Sequence, residues 1–264
     1  QTLSCVFAGI IHYYLTLALA AYAWNDVYRV LGMFGMSLFV LSVLLVKSPS
    51  NYYHGKSISL KKSLKMVLTN KQMILCSLAA ATSFGTLLAY ASYWYAQVQT
   101  FYHVEHIQAV LISGMVFLGV GVGTPIMGWI SNKVKSRILV VHVSLALGAM
   151  ALLLELYLPR FPIESLIIVK GMSFLTGFFL SGSMLFYTMV SERATETTRG
   201  VAISVLNTMV FLFNTMLLFV PYLFVTSISK DFFTYLWVLP FCILISLLLM
   251  TFIKDTLVSS RKSP

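Results

Sequence analysis

Apolar residues along this chain fall into eight long blocks, at approximately 2–24, 28–46, 73–96, 107–130, 138–158, 163–190, 200–226 and 232–253. A helix needs ~20 consecutive apolar residues to cross the hydrocarbon core of a bilayer, and each block is about that long. Strict alternation of the kind a β-barrel needs is absent. The run 243–250, broken only by Ser246, has no polar face at all. The pattern predicts an all-α fold: a polytopic membrane helical bundle of about eight transmembrane helices.

Most of the polar breaks are short, but residues 48–71 are not. This stretch opens with Ser48, Pro49, Ser50, Asn51, Gly55 and Ser57. Its second half places Leu60, Leu64, Val67 and Leu68 on one helical face and Lys61, Lys62 and Lys65 on the other. That arrangement suits a helix lying in the membrane interface; a solvated basic linker is the alternative. The break leaves two helices before it and six after it. The organisation predicted is 1–47 as the last two helices of an N-terminal bundle, 48–71 as a basic cytoplasmic linker, 72–254 as a C-terminal six-helix bundle, and 255–264 as a cytoplasmic tail.

Composition agrees: 59% of residues are hydrophobic and 10% charged, where a soluble domain has ~25% charged. The formal net charge of +10 would suit a nucleic-acid partner if it were clustered on a soluble face. Instead it alternates between loops. One set holds Lys47, Lys56, Lys61, Lys62, Lys65, Lys71, Lys133, Lys135, Arg137, Arg193, Arg199, Lys254, Arg261 and Lys262, while the opposite set holds only Arg29, Arg160 and Lys230. This is the positive-inside distribution. It predicts an integral protein of the plasma or inner membrane, with both termini cytoplasmic and no nucleic-acid role. Cys5, Cys76 and Cys242 fall inside predicted spans without metal or disulfide spacing and read as small buried hydrophobes. The first span lacks the basic leader of a signal peptide, and the chain begins at Gln1 without Met. That start fits either removal of the initiator or a piece of something longer.

After the fourth span the chain reads Gly128-Trp-Ile-Ser-Asn132-Lys133-Val-Lys-Ser-Arg137. This resembles the cytoplasmic loop motif of the major facilitator superfamily, G-x-x-x-D-R/K-x-G-R-R/K. Gly128, Lys133 and Arg137 match; Asn132 stands where the family has an acid, and Lys135 and Ser136 stand where it has Gly and Arg. Glu192-Arg193 followed by Arg199-Gly200-Val-Ala resembles the family's loop before its eleventh helix. Tyr28-Arg29 resembles the aromatic-Arg pair opening its sixth. The resemblance aligns the chain with family helices five to twelve and leaves the first four absent. It implies a secondary active transporter working by alternating access, with Gly128, Asn132, Lys133 and Arg137 as a gating loop and with proton coupling as a family expectation.

Two spans carry polar stripes at helical spacing, as a solute path near the bilayer midplane requires. The third has Ser83, Thr86, Tyr90, Trp94 and Gln97; the sixth has Lys170, Ser173, Gly177, Ser181 and Met184. Thr86, Tyr90, Trp94, Gln97, Lys170, Ser173 and Ser181 are the candidate substrate-binding residues, and by the resemblance both spans line the cavity. The aromatic belt is the other reading of Trp94. Lys170 sits seven residues inside its span, ~10 Å deep at 1.5 Å per residue. Such a charge tends to face water, a partner or an anion; snorkelling, or a pair with Glu155 or Glu164, is the alternative. His12 and His142 read as packed or interfacial. Ser204, Asn207, Phe211 and Asn214 form a stripe suited to holding helices together, and Gly119-x-x-x-Gly123 a close-packing face. Catalytic motifs such as HExxH, GxSxG or a phosphate loop are missing, so no enzyme, cofactor or metal is expected. The function predicted is secondary active transport of a small polar or anionic solute; the alternative is a truncated or non-transporting membrane protein with a structural or partner role. Oligomeric state stays open.

Overall fold

The computed structural model describes residues 24–45, 58–94, 104, 106–157, 165–224 and 236–259, and every regular element among them is a helix. The first predicted span, with His12, lies outside the described residues. The second is α1 (Trp24–Leu45). The linker's second half is α2 (Leu60–Thr69). Six helices follow: α3 (71–94), α4 (His106–Val134), α5 (Arg137–Tyr157), α6 (Leu166–Arg193), α7 (Arg199–Phe224) and α8 (Val238–Met250). Six of the described helices, α1 and α3 to α7, are long and apolar enough to cross a membrane, and α8 is a shorter apolar helix.

Local chemistry explains where the helices break. Asn70 is extended, with φ −81° and ψ 102°, and its side-chain oxygen accepts the N–H groups of Gln72 and Met73. It therefore stops α2 and caps α3. Between α4 and α5 the chain turns at Lys135, whose φ is 60°. The N–H of Ser136 then reaches back to the carbonyl of Ser131 at 3.2 Å, the closure of a Schellman turn. Ser136 next accepts the N–H of Leu139 at 3.1 Å and caps α5. The left-handed residue falls where the resembled motif carries Gly, which explains that Gly physically: a side chain at this φ crowds the backbone.

Two helices leave α geometry in their interiors. In α3, residues Ala81–Gly85 and Tyr90–Trp94 are π-helical, and in α6 residues Ser181–Met184 form a 3-10 turn. The first π segment and the 3-10 turn touch each other. Hydroxyls serve the displaced backbone: Thr82, Ser83 and, from α8, Ser246 all donate to the carbonyl of Ala79.

Packing divides the bundle into two tight groups. In the first, α4 and α5 flank α6, and glycines set the spacing. A Cβ on Gly119 would lie 2.1 Å from the carbonyl oxygen of Phe174, and one on Gly177 would lie 1.9 Å from that of Val116. Gly148 and Gly182 do the same for α5 against α6. The close-packing face expected at Gly119 and Gly123 is thus present. In the second group α3 packs against α7, α8 and the latter half of α6. Gln72 ties its start to the chain beyond α8, donating to the carbonyl of Phe252 at 3.0 Å and accepting the N–H of Lys254 at 2.8 Å.

Candidate functional site

The polar stripe of α3 is buried. Thr86 and Tyr90 are fully enclosed, and the Thr86 hydroxyl donates to the carbonyl of Thr82 at 2.7 Å. Satisfying a hydroxyl on its own helix lets it sit in an apolar span at little cost. The backbone of Trp94 ends the second π segment, while its side chain and Gln97 lie outside what is described.

On α6, Ser173 is buried and donates to Val169, and Ser181 is buried and donates to Phe178. Ser181 fills the notch at Gly123, where an added Cβ would stand 2.3 Å from its Oγ. The structure places it, with Gly177, in the contact between α6 and α4. Lys170 is half-buried and stands one turn inside α6, which begins at Leu166. That is ~6 Å along the helix at 1.5 Å per residue, shallower than the sequence pattern suggests. α5, which packs along α6, carries Glu155, buried to 1% exposure. Glu164 lies outside the described residues.

A second polar contact joins α6 to α7. The Tyr187 hydroxyl donates to Asn207 Oδ1 at 2.7 Å, and the Tyr187 ring meets Phe84 of the first π segment edge-on at 6.3 Å. Asn207 therefore holds two helices together as its stripe suggests. Further along the same face of α7, Asn214 Oδ1 is buried with no hydrogen-bond partner among the described residues. Tyr187 is a residue the polar-stripe reading misses. Its signal is present: it stands six residues past Ser181 on the same span.

The richest constellation gathers at the basic end of the bundle. Arg137, only 7% exposed, donates through Nη1 to Ser131 Oγ at 2.6 Å and through Nη2 to Glu192 Oε1 at 2.8 Å. Thr256 donates to the other oxygen of Glu192. Asp255 closes the network, accepting from the Ser136 hydroxyl and from the N–H groups of Arg137, Ile138 and Leu257. Partial burial pushes the Asp255 carboxyl up, but the hydrogen bonds from Ser136, Leu257, Arg137 and Ile138 outweigh it and hold the group below its ordinary range. Arg193 donates to the carbonyls of Met189 and Lys254. An open cleft of about 560 Å³ runs along Gln72, Glu192, Arg193, Lys254 and Asp255.

Of the four loop residues singled out in the sequence, Arg137 is the hub of this network. Gly128 is half-buried on α4, and Asn132 and Lys133 are exposed. Lys133 lies with its Nζ 5.1 Å from the centre of the Trp129 ring. The acid missing at Asn132 has a counterpart in space: Asp255, from beyond α8, sits on the N-terminus of α5, where a negative charge is stabilised by the helix dipole. Among the described residues no His/Cys/Asp/Glu group could hold a metal ion.

Long apolar helices without strands among the described residues define a polytopic membrane helical bundle. Residues 2–217 match the family model described as Major Facilitator Superfamily. No curated protein matches the chain. The chain belongs to the major facilitator superfamily, whose members are secondary transporters.

Proposed function

We propose that this chain moves a small polar or anionic solute across the plasma or inner membrane by proton-coupled alternating access. Its basic end and both termini lie in the cytoplasm in this reading. The observation that carries the solute class is Lys170, a half-buried cation one turn inside an otherwise apolar span. A lysine near a helix end can carry its ammonium to the interface, and in this reading it meets the solute's anionic group there. Support for a moving bundle comes from α3 and α6, which both abandon α geometry and touch where they do so. Interruptions of this kind mark hinges and functional sites. In this reading Thr86 and Tyr90 on α3 and Ser173 and Ser181 on α6 belong to the path, and Trp94 and Gln97 continue the first stripe in the sequence. The Arg137–Glu192–Asp255 network acts as the cytoplasmic clasp, with Gly128, Asn132 and Lys133 on the loop that carries it.

The organisation proposed is two helices of a first bundle, a basic linker, and a six-helix second bundle over 72–254. Every described side chain of α1 except Asp26 is exposed, as expected of a helix whose packing partners belong to another bundle.

The test is uptake by the full chain in proteoliposomes, screened with small carboxylates, inorganic phosphate and neutral polyols, with and without a pH gradient. At least one anion should be carried, and collapse of the gradient should slow it. Losing a hydrogen bond to a charged group costs ~1.5–3 kcal/mol, so Lys170→Met should lower uptake about 10- to 150-fold at unchanged abundance. Lys170→Arg should retain part of it, because a planar fork does not reproduce a compact ammonium. Undiminished uptake by Lys170→Met would remove Lys170 from the path.

A further inference from the structure

The helix α2, in the second half of the linker, divides its surface into three sectors. Ser63 and Val67 are buried, at 2% and 1% exposure, on the side where α2 packs against α7 and α3. Beside them runs an apolar strip of Leu60, Leu64 and Leu68, exposed to 72%, 39% and 48%. Beyond the strip lie Lys61, Lys62 and Lys65, all exposed. Helical rotation of ~100° per residue puts the leucines between the protein-facing sector and the lysines. Among the described residues none covers the strip.

Charge narrows what can cover it. From Val27 to Val104 the chain contains no Asp or Glu, while residues 47–71 carry six lysines. The α2 lysines therefore have no acid near them in sequence. Position narrows it further. Asn70 turns the chain directly from α2 into α3, and Gln72 at that turn bonds the backbone of Phe252 and Lys254. The helix thus lies at the level where the apolar spans end and the basic residues begin. An apolar strip flanked by lysines at that depth matches acyl chains beside anionic headgroups.

We propose that α2 is a binding surface for anionic phospholipids. Leu60, Leu64 and Leu68 enter the acyl region, and Lys61, Lys62 and Lys65 hold the headgroup phosphates. The lipid anchors the linker to the edge of α7 and so fixes the resting place of the segment that joins the two bundles. This surface is independent of Lys170 and of the solute path.

The experiment is thermal melting of the purified full chain in mixed micelles, titrated with phosphatidylglycerol or phosphatidylcholine. Phosphatidylglycerol should raise the melting temperature further than phosphatidylcholine, and the difference should shrink between low and high salt. Each lysine near an anionic surface is worth ~1 kcal/mol, so K61Q/K62Q/K65Q should shift the half-maximal phosphatidylglycerol concentration upward on the order of 100-fold. Because the three side chains are exposed, this variant should melt like the unmodified protein in lipid-free detergent, and K61R/K62R/K65R should keep the lipid response. Three results would overturn the proposal. They are an equal response to both lipids, an undiminished phosphatidylglycerol response in the Gln variant, or full reproduction of the effect by inorganic phosphate alone.

Discussion

Replacing Gly177 with Ala adds one methyl group where α6 meets α4, and the structure gives that methyl no room. Its Cβ would stand 1.9 Å from the carbonyl oxygen of Val116 and 2.7 Å from its carbon. Both are backbone atoms, so no side chain can swing aside. Real Cβ contacts essentially never fall under 3.0 Å, and the two helices must part by about 1 Å. A gap of that size forfeits roughly a quarter to a half of the dispersion energy of the atoms along it. In a membrane this packing energy is the main force between helices. Overpacking of this kind costs ~1–3 kcal/mol, against which Ala returns up to ~1 kcal/mol of helix propensity. A net loss of about 1–2 kcal/mol follows. The control lies on the same helix. A Cβ on Gly171 meets nothing within 4 Å, so Gly171→Ala should hold or raise stability, by up to ~1 kcal/mol. The assay is thermal melting of each variant in detergent with its abundance in the membrane. Gly119→Ala should resemble Gly177→Ala, and the double variant should lose less than the sum, because helices already parted admit the second methyl. If Gly177→Ala melted at or above Gly171→Ala, the backbone contact between α4 and α6 would not exist as described.

Two further outcomes can be checked the same way. Lys135→Gly should stabilise the turn between α4 and α5 by about 1 kcal/mol, since it relieves a φ of 60° that costs a side-chain-bearing residue ~1–2 kcal/mol, less the entropy Gly adds to the unfolded chain; Lys135→Ala should not. The depressed Asp255 carboxyl contributes stability that is fully present above its unfolded value of about 4 and is lost as pH falls through the lower folded one. Melting of the unmodified chain should therefore drop on acidification below about pH 4. Asp255→Asn should remove that step and lower stability at neutral pH.

The spans were legible because lipid demands long apolar runs, and α3 to α7 fall where the blocks do. Residue Asn70 shifts the start of the bundle by only one or two positions, since a capping side chain decides it. The close approach at Gly119 and Gly123 was legible too, but the partner surface was not. Gly177 and Ser181 share helical spacing with Lys170 and Ser173, and periodicity says which residues share a face without saying what that face meets. A notch for another backbone and the wall of a solute path both call for small or hydroxylated residues. Arg137 stood out by its motif, whereas its clasp depends on Asp255, 118 residues away, which no local pattern connects to it. The π segments of α3 have no evident signature beyond a run of small and hydroxylated residues.

The Gln72 clamp has a consequence in time. Its backbone partners lie 180 and 182 residues further along the chain, and the Ser246 hydroxyl that serves Ala79 lies 167 residues on. At ~5–20 residues per second of synthesis, α3 spends roughly 9–36 s in the membrane before the residues that complete it have been made. During that interval one face of α3 must be held by lipid, by α7 once it emerges, or by the insertion machinery. The first helix of the six waits for the last, so a lesion in α8 would strand a helix made long before it.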